Sequence, residues 1–233
     1  MKTVILAGGK GTRFSEETHQ KPKPLIEIGG KPVIWHIMKI YSSYGINDFI
    51  ICSGYKGNLI QEYFSQNKSE SWDVTVVDTG LDTMTGGRLK RIKAYLDDTF
   101  CLTYGDDLKN VNIAELIKFH QNQKTLATMT ISRNPDRFGI VTLDGTKVTS
   151  FKEKPLDDVW INGGYFVLEP QVLDIIKNDS AVFEQDPLNL LIKEKQLSAY
   201  KYEGQYQPLD TLKDKMKLED LWYSGKAYWK TWK

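Results

Sequence analysis

Residues 5–14 read ILAGGKGTRF. An apolar run that ends abruptly in three glycines, a lysine, a threonine and an arginine is a strand exit suited to something anionic. Glycines let backbone N–H groups approach phosphate oxygens closely, Thr12 adds a hydroxyl, and Arg13 offers a planar fork matched to a polyphosphate. Two familiar phosphate motifs fail here. The dinucleotide fingerprint needs a glycine where Phe14 stands, and a P-loop needs Gly-Lys followed by Ser or Thr, whereas Lys10 is followed by Gly11. A plain turn that reverses the chain is the competing reading of the glycines alone. KPKPL at 21–25 weighs against it, because Lys23, held between two prolines, is a stiffly presented charge.

Working outward, TVILA (3–7) is matched by three more buried-strand runs, FIICS (49–53), VTVVD (74–78) and FCLTY (100–104). Helical patterns lie between them. Pro32 suits a first helical position, Ile34, Ile37, Met38 and Tyr41 recur at helical spacing, and Gly45 supplies a stop. NLIQEYF (58–64) and the stretch Leu89 to Leu96 fill the next gaps, and Asn112 caps a helix carrying Leu116, Ile117 and His120. This alternation predicts an α/β fold, a Rossmann-like doubly wound, mainly parallel sheet with helices on both faces. From about residue 125 the pattern is richer in strands (LATMTIS, GIVTL, KVTSFKE, GGYFVL), and helices return around Asp210 to Trp222. No linker or repeat divides the 233 residues, which read as one domain with a nucleotide-binding half (1–124) and a sugar-phosphate half with C-terminal helices (125–233).

Composition narrows the function. Thirty-one Lys plus Arg against thirty Asp plus Glu leave a net charge of +1, so no basic field speaks for nucleic acid. Cys52 and Cys101 each sit inside an apolar run, as packing thiols do, and no signal peptide or membrane-length apolar run is read, which points to the cytosol without a membrane partner. Ligands of open α/β sheets collect beyond the carboxyl ends of strands. There the fourth strand run exits into TYGDD, where an acidic pair suits a divalent cation held against a phosphate, or merely a turn. Asp210, in QPLDT, is a second candidate ligand; taken alone it reads as a helix N-cap.

LAGGKGTRF, KPKPLIEIGGKP, TGGRLKR, TYGDD, FKEKP, INGGYFVL and QPLDTLKDK together resemble, along almost the whole chain, the sugar-1-phosphate nucleotidyltransferases. DTG…MTGGRLKR and the C-terminal LW…GKA…WKTW are similar to the cytidylyl branch. The resemblance implies that CTP and glucose 1-phosphate give CDP-glucose and pyrophosphate, a step suited to deoxysugar synthesis for surface polysaccharide. It also implies that Leu6, Ala7, Gly8 and Gly9 meet the nucleoside while Lys10, Gly11, Thr12 and Arg13 cover the phosphates. Lys23 would neutralise the α-phosphate, Thr83 and Arg88 would read cytosine, with Arg88 donating to O2, and Gly105 would line the ribose. Asp106 and Asp210 would hold Mg²⁺, and Glu153, Lys154, Asn162 and Gly163 would bind the sugar phosphate, with Arg13, Lys23 and Asp106 carrying catalysis. One departure stands out: only SQNKSES (65–71) intervenes where the family carries a longer insert, which bears on the acceptor and on assembly.

Other readings compete. UTP, dTTP or another phosphorylated acceptor is the rival within enzymes, and a catalytically silent nucleotide-sensing subunit is the rival outside them. DTG at 78–80 matches the aspartic-protease tripeptide but lacks a second copy. His19, His36 and His120 have no ligand spacing and read as core or surface residues. The tail aromatics Trp222, Tyr228, Trp229 and Trp232 read as packing or as a contact between copies in a homo-oligomer, with carbohydrate stacking as the lesser alternative. The glycines before RLKR favour a loop beside the ligand over a helix start.

Overall fold

The computed structural model describes residues 1–68, 70–133, 140–144, 146–152 and 160–232. Seven strands form the central sheet: β1 (Lys2–Leu6), β2 (Asp48–Ser53), β3 (Asp73–Asp78), β4 (Phe100–Tyr104), β5 (Ala127–Arg133), β6 (Trp160–Leu168) and β7 (Leu197–Tyr202). Their spatial order is β7-β5-β6-β4-β1-β2-β3. Every neighbouring pair is parallel except the two made by β6, which runs antiparallel to both β4 and β5. The expected mainly parallel sheet is therefore present. Of GIVTL and KVTSFKE, the described strands Ile140–Asp144 and Lys147–Lys152 stay out of it and pair antiparallel with each other.

Parallel strands covered on both sides must be apolar at consecutive positions, and the two faces divide them by parity. Ile5, Ala7, Phe49, Ile51, Cys101, Tyr165 and Val167 enter one core, with α1 (Val33–Ser42), α2 (Gly57–Gln66) and α4 (Ile113–Gln123) packed over it. Val4, Leu6, Ile50, Cys52, Leu102, Phe166 and Leu168 enter the other, beneath α3 (Thr85–Arg91) and α5 (Asp186–Lys193). Asn112 caps α4 as expected, its side chain accepting from the Glu115 N–H at 3.1 Å. Among the described residues no helix is long and apolar enough to cross a membrane.

TGGRLKR corrects one expectation. It is helical throughout as α3, and its glycines serve packing: a Cβ at Gly86 would stand 2.7 Å from the Ala181 carbonyl oxygen, and one at Gly87 would stand 2.3 Å from that of Asp179. Only bare backbone lets the first turn of α3 lie this close to the 179–181 loop.

The aromatic tail returns to the start of the fold. After α6 (Leu212–Tyr223), Gly225 takes φ +71° and turns the chain back, so that Trp229 becomes fully buried over α1. Trp222 lies across the Gly29–Gly30 turn, where a Cβ on Gly29 would be 2.0 Å from its Nε1. His36 sits at the centre with no exposed surface, 4.8 Å from the Trp222 ring. Its Nε2–H donates to the Ile28 carbonyl at 2.8 Å, and its Nδ1 accepts from Trp229 Nε1–H at 3.4 Å. The tail is thus a packing element of its own chain, and His36 is a core residue.

Burial pushes the pKa of His36 down to about 4 from an ordinary 6.5, its hydrogen bond to Ile28 offsetting only part of the effect. Between those two values the unfolded chain takes up a proton that the folded chain refuses, so stability is complete above pH 6.5 and falls as the pH drops toward 4. Urea unfolding at pH 7 and pH 5 should differ by about 2 kcal/mol more in the parent chain than in His36→Gln, which has no titrating group at this position.

Candidate functional site

The carboxyl ends of β1, β2 and β4 are laced together before any side chain is considered. Ala7 N–H donates to the Cys52 carbonyl at 2.9 Å, Tyr55 N–H to Gly8 at 3.1 Å, and Gly105 N–H to Leu6 at 2.9 Å. A cleft of about 340 Å³ opens above this lattice. Of the residues the sequence nominated, Leu6, Ala7, Gly8, Gly9, Gly11, Thr12, Lys23, Thr83, Arg88, Gly105 and Asp106 all line it, joined by Tyr104 and Thr85. Lys10 turns aside, its ammonium meeting the exposed Asp82 carboxylate at 3.2 Å. The side chain of Arg13 and all of Glu153 and Lys154 lie outside the described residues.

Adjacent glycines have different reasons for being glycine. A Cβ on Gly8 would fall 2.1 Å from Arg88 Nη1, so that position is closed by the protein itself. Among the described residues, a Cβ on Gly9 would meet no atom within 4 Å, and Gly9 has no positive φ. None of those residues demands glycine there, while the cleft it borders does need a bare backbone if a ligand is to come close.

Arg88 is the strut beneath that floor. It is buried, and Nη1 donates to the carbonyls of Ser53 (2.9 Å) and Gly80 (2.8 Å) and to the Thr79 hydroxyl (2.8 Å), while Nη2 reaches the Gly8 carbonyl at 3.0 Å. One guanidinium thereby ties the exits of β1, β2 and β3 and fixes the backbone of the glycine loop.

At the other end of the cleft, Lys23 joins the two nominated carboxylates. Its Nζ is 2.7 Å from Asp106 Oδ2 and 2.8 Å from Asp210 Oδ1. Burial would lower the pKa of Lys23, but the charges and hydrogen bonds of Asp106 and Asp210 outweigh it and raise the pKa above its ordinary value, so the group stays an ammonium at neutral pH. A short antiparallel ribbon, Asp107–Lys109 against Tyr206–Pro208, explains how residues a hundred positions apart meet. Its register sets Asp107 opposite Pro208, which brings the residue before one strand next to the residues after the other. The acidic pair of TYGDD then divides. Asp107 turns inward to the buried Lys109 ammonium at 2.7 Å, and burial raises its carboxyl against the pull of that lysine. Asp106 keeps to the cleft.

Asp210 is not the helix cap that its local context suggests. Thr211 caps α6, accepting from the Asp214 N–H, and the buried Asp214 carboxylate accepts from the Asp210 N–H (3.2 Å), the Thr211 hydroxyl (2.8 Å) and Gln207 Nε2 (2.8 Å). The capping work done by its neighbours leaves the Asp210 carboxylate for Lys23. Asp214 was missed, although Thr-x-x-Asp ahead of a helix is a recognisable cap.

INGG sits at a register shift in β6. Gly163 is buried against Thr130, where a Cβ would come within 2.5 Å of its hydroxyl oxygen, so it serves the bulge and does not line the cleft. Gly164 takes φ +78°, and the exposed Asn162 leans toward the cleft wall, its Nδ2 donating to the Tyr104 hydroxyl at 3.3 Å.

A glycine floor, a buried arginine strut and a lysine shared by two aspartates make a site for a phosphorylated ligand, and known proteins identify the family. The model of the family described as nucleotidyl transferase matches residues 2–230. The chain belongs to the nucleotidyl transferase family. This nucleotidyl transferase is 50% identical over 256 positions to the glucose-1-phosphate cytidylyltransferase of Salmonella typhi, with both chains wholly covered. It is 42% identical over 254 positions to a probable glucose-1-phosphate cytidylyltransferase of Bacillus subtilis, again with full coverage of both. It groups with these cytidylyltransferases, as its motifs suggested. Both alignments are longer than the 233 residues here, so the relatives carry insertions that this chain lacks. Among solved structures, HddC from Yersinia pseudotuberculosis complexed with GMP-PN superimposes with a TM-score of 0.75 at 23% identity, covering 95% of this chain and 99% of that one. A UDP-glucose pyrophosphorylase complexed with UDP-glucose gives a TM-score of 0.74 at 17% identity, covering 96% and 98%. These likenesses establish the fold.

The two glycines give a direct test of the floor. Gly9→Ala should leave the melting temperature unchanged or slightly raised, since it removes freedom only from the unfolded chain, while weakening nucleotide binding at least about tenfold, equivalent to about 1.4 kcal/mol. Gly8→Ala should lower the melting temperature. Thermal melts alongside nucleotide titrations separate the two.

Proposed function

We propose that this nucleotidyl transferase joins CTP and glucose 1-phosphate into CDP-glucose, releasing pyrophosphate. The observation that carries the reading is the Lys23 ammonium held between Asp106 and Asp210 at the end of the glycine-floored cleft. A phosphate oxygen of glucose 1-phosphate attacks the α-phosphorus of CTP, the new P–O bond forms, and the bond from the α-phosphorus to the bridging oxygen breaks on the opposite side. The attacking oxygen is already anionic near pH 7, so the site needs no general base. Its task is positioning and charge compensation. The backbone of Leu6 to Gly9 meets the nucleoside, Lys10 to Arg13 cover the phosphates, and Lys23 offsets charge at the α-phosphate. Thr83 and Arg88 stand at the base end and Gly105 under the ribose, while Asn162, Glu153 and Lys154 take the sugar phosphate.

Two carboxylates from separate loops converging on one cation fit Mg²⁺, which commonly takes one or two protein carboxylates and completes its shell with phosphate and water. Among the described residues no cluster of three or more His, Cys, Asp or Glu could hold a metal unaided, in keeping with a shell completed by substrate. Asp106 and Asp210 would hold the ion, which when bound supplies Lewis-acid charge to the phosphates. The buried, unpaired thiols of Cys52 and Cys101 suit a reducing cytosol. Assembly with further copies would use the tail or the segment around 65–71; within the tail, Trp229 is buried against its own chain, whereas Trp222, Tyr228 and Trp232 are only partly covered.

Pyrophosphate release should be measured with glucose 1-phosphate across a nucleotide panel. CTP should be preferred, because a pocket that pairs the cytosine N4 donor with a carbonyl would face the O4 of uracil or thymine with an unpaired acceptor; equal rates with UTP at low concentration would refute this. Asp106→Asn and Asp210→Asn should each cost about a hundredfold or more in rate. The double variant should cost far less than the product of the two, because both act on one charge cluster. Light scattering should show a species larger than the 26.7 kDa chain.

A further inference from the structure

Glu184 lies in the loop before α5 and has no part in the chemistry above, yet two residues of the cleft wall end on its carboxylate. Thr85 Oγ1 donates to Oε2 at 2.6 Å, and the Tyr104 hydroxyl donates to Oε1. Both hydroxyls also accept a hydrogen bond, Tyr104 from Asn162 Nδ2 at 3.3 Å and Thr85 from the N–H of Phe183, the buried residue before Glu184, at 2.9 Å. One chain therefore runs in from the exposed Asn162, a second contact ties the start of α3 to the Glu184 loop, and both end on one carboxylate. Thr85 opens α3, which carries Arg88 at the base end, whereas Asn162 belongs to β6 on the sugar side.

We propose that Glu184 is a positioning residue that holds the sugar half of the cleft in register with the nucleotide half, a role that rests on the activity proposed above. The two hydroxyls end on different oxygens, and only a carboxylate offers an acceptor at both positions. A glutamine of the same size presents one oxygen and one N–H group, so one chain must reverse its direction or break. The Tyr104 ring is held independently, edge-on to Phe166 at 6.3 Å, so losing the anchor frees its hydroxyl and Asn162 more than the wall itself.

The test is titration calorimetry without added divalent metal, using CTP, which occupies one half, and CDP-glucose, which spans both. Glu184→Gln should bind CTP within about twofold of the parent chain and CDP-glucose about tenfold more weakly. Adding Tyr104→Phe to it should weaken CDP-glucose no further, because both changes cut the same chain. The retained CTP affinity reports that Glu184→Gln is folded. Equal weakening of both ligands would make Glu184 a general structural residue and overturn the proposal, as would an unchanged CDP-glucose affinity or losses that multiply in the double variant. Failure of the parent chain to bind CTP, in the metal-free titration and again with Mg²⁺ added, would instead overturn the proposed activity, and the positioning role would fall with it.

Discussion

The site depends on one ammonium group that belongs to neither of the chain segments it joins. Lys23 comes from the loop after the first strand, Asp106 from the exit of the fourth, and Asp210 from the entry to the last helix. Two carboxylates this close would repel each other, and each would favour protonation. A cation between them removes the repulsion and fixes the geometry together. The prolines on either side of Lys23 limit how far its backbone can retreat, so the positive charge is already in place before any phosphate arrives. In the reaction proposed above, little reorganisation would then be required at the moment charge builds up.

The same economy recurs beneath the glycine loop. The strut is an arginine that donates to three backbone carbonyls and one threonine hydroxyl, so the floor is held mostly by groups every residue possesses. Its rigidity is insensitive to the side chains above it, and those can change to suit a different base or sugar.

Much of this was legible in the residues because strands buried on both faces write themselves as continuous apolar runs, and TVILA, FIICS, VTVVD and FCLTY became four of the seven central strands. The glycine loop, Lys23 and Asp106 were legible for a related reason: strand exits are where such sheets put their ligands. What stayed hidden depended on contacts between distant segments. The glycines of α3 looked like a loop because the close-packed partner at 179–181 cannot be seen from position 86. Asp210 looked like a cap because the competing cap, Thr211 with Asp214, differs from it by a single position. Lys109 gave no sign that it would draw Asp107 away from the cleft, since strand register decides which way each neighbour faces.

The return of Trp229 to His36 spans 193 positions of sequence. A chain growing from its amino terminus makes the first strand and helix early, but the face of that helix waits for the tail before it is covered. Half-made molecules therefore carry an open apolar surface for most of their synthesis, and long-range closures of this kind are slow. A helix face covered from so far along the chain ties the two distant segments into one cooperative unit, so that loosening either opens both.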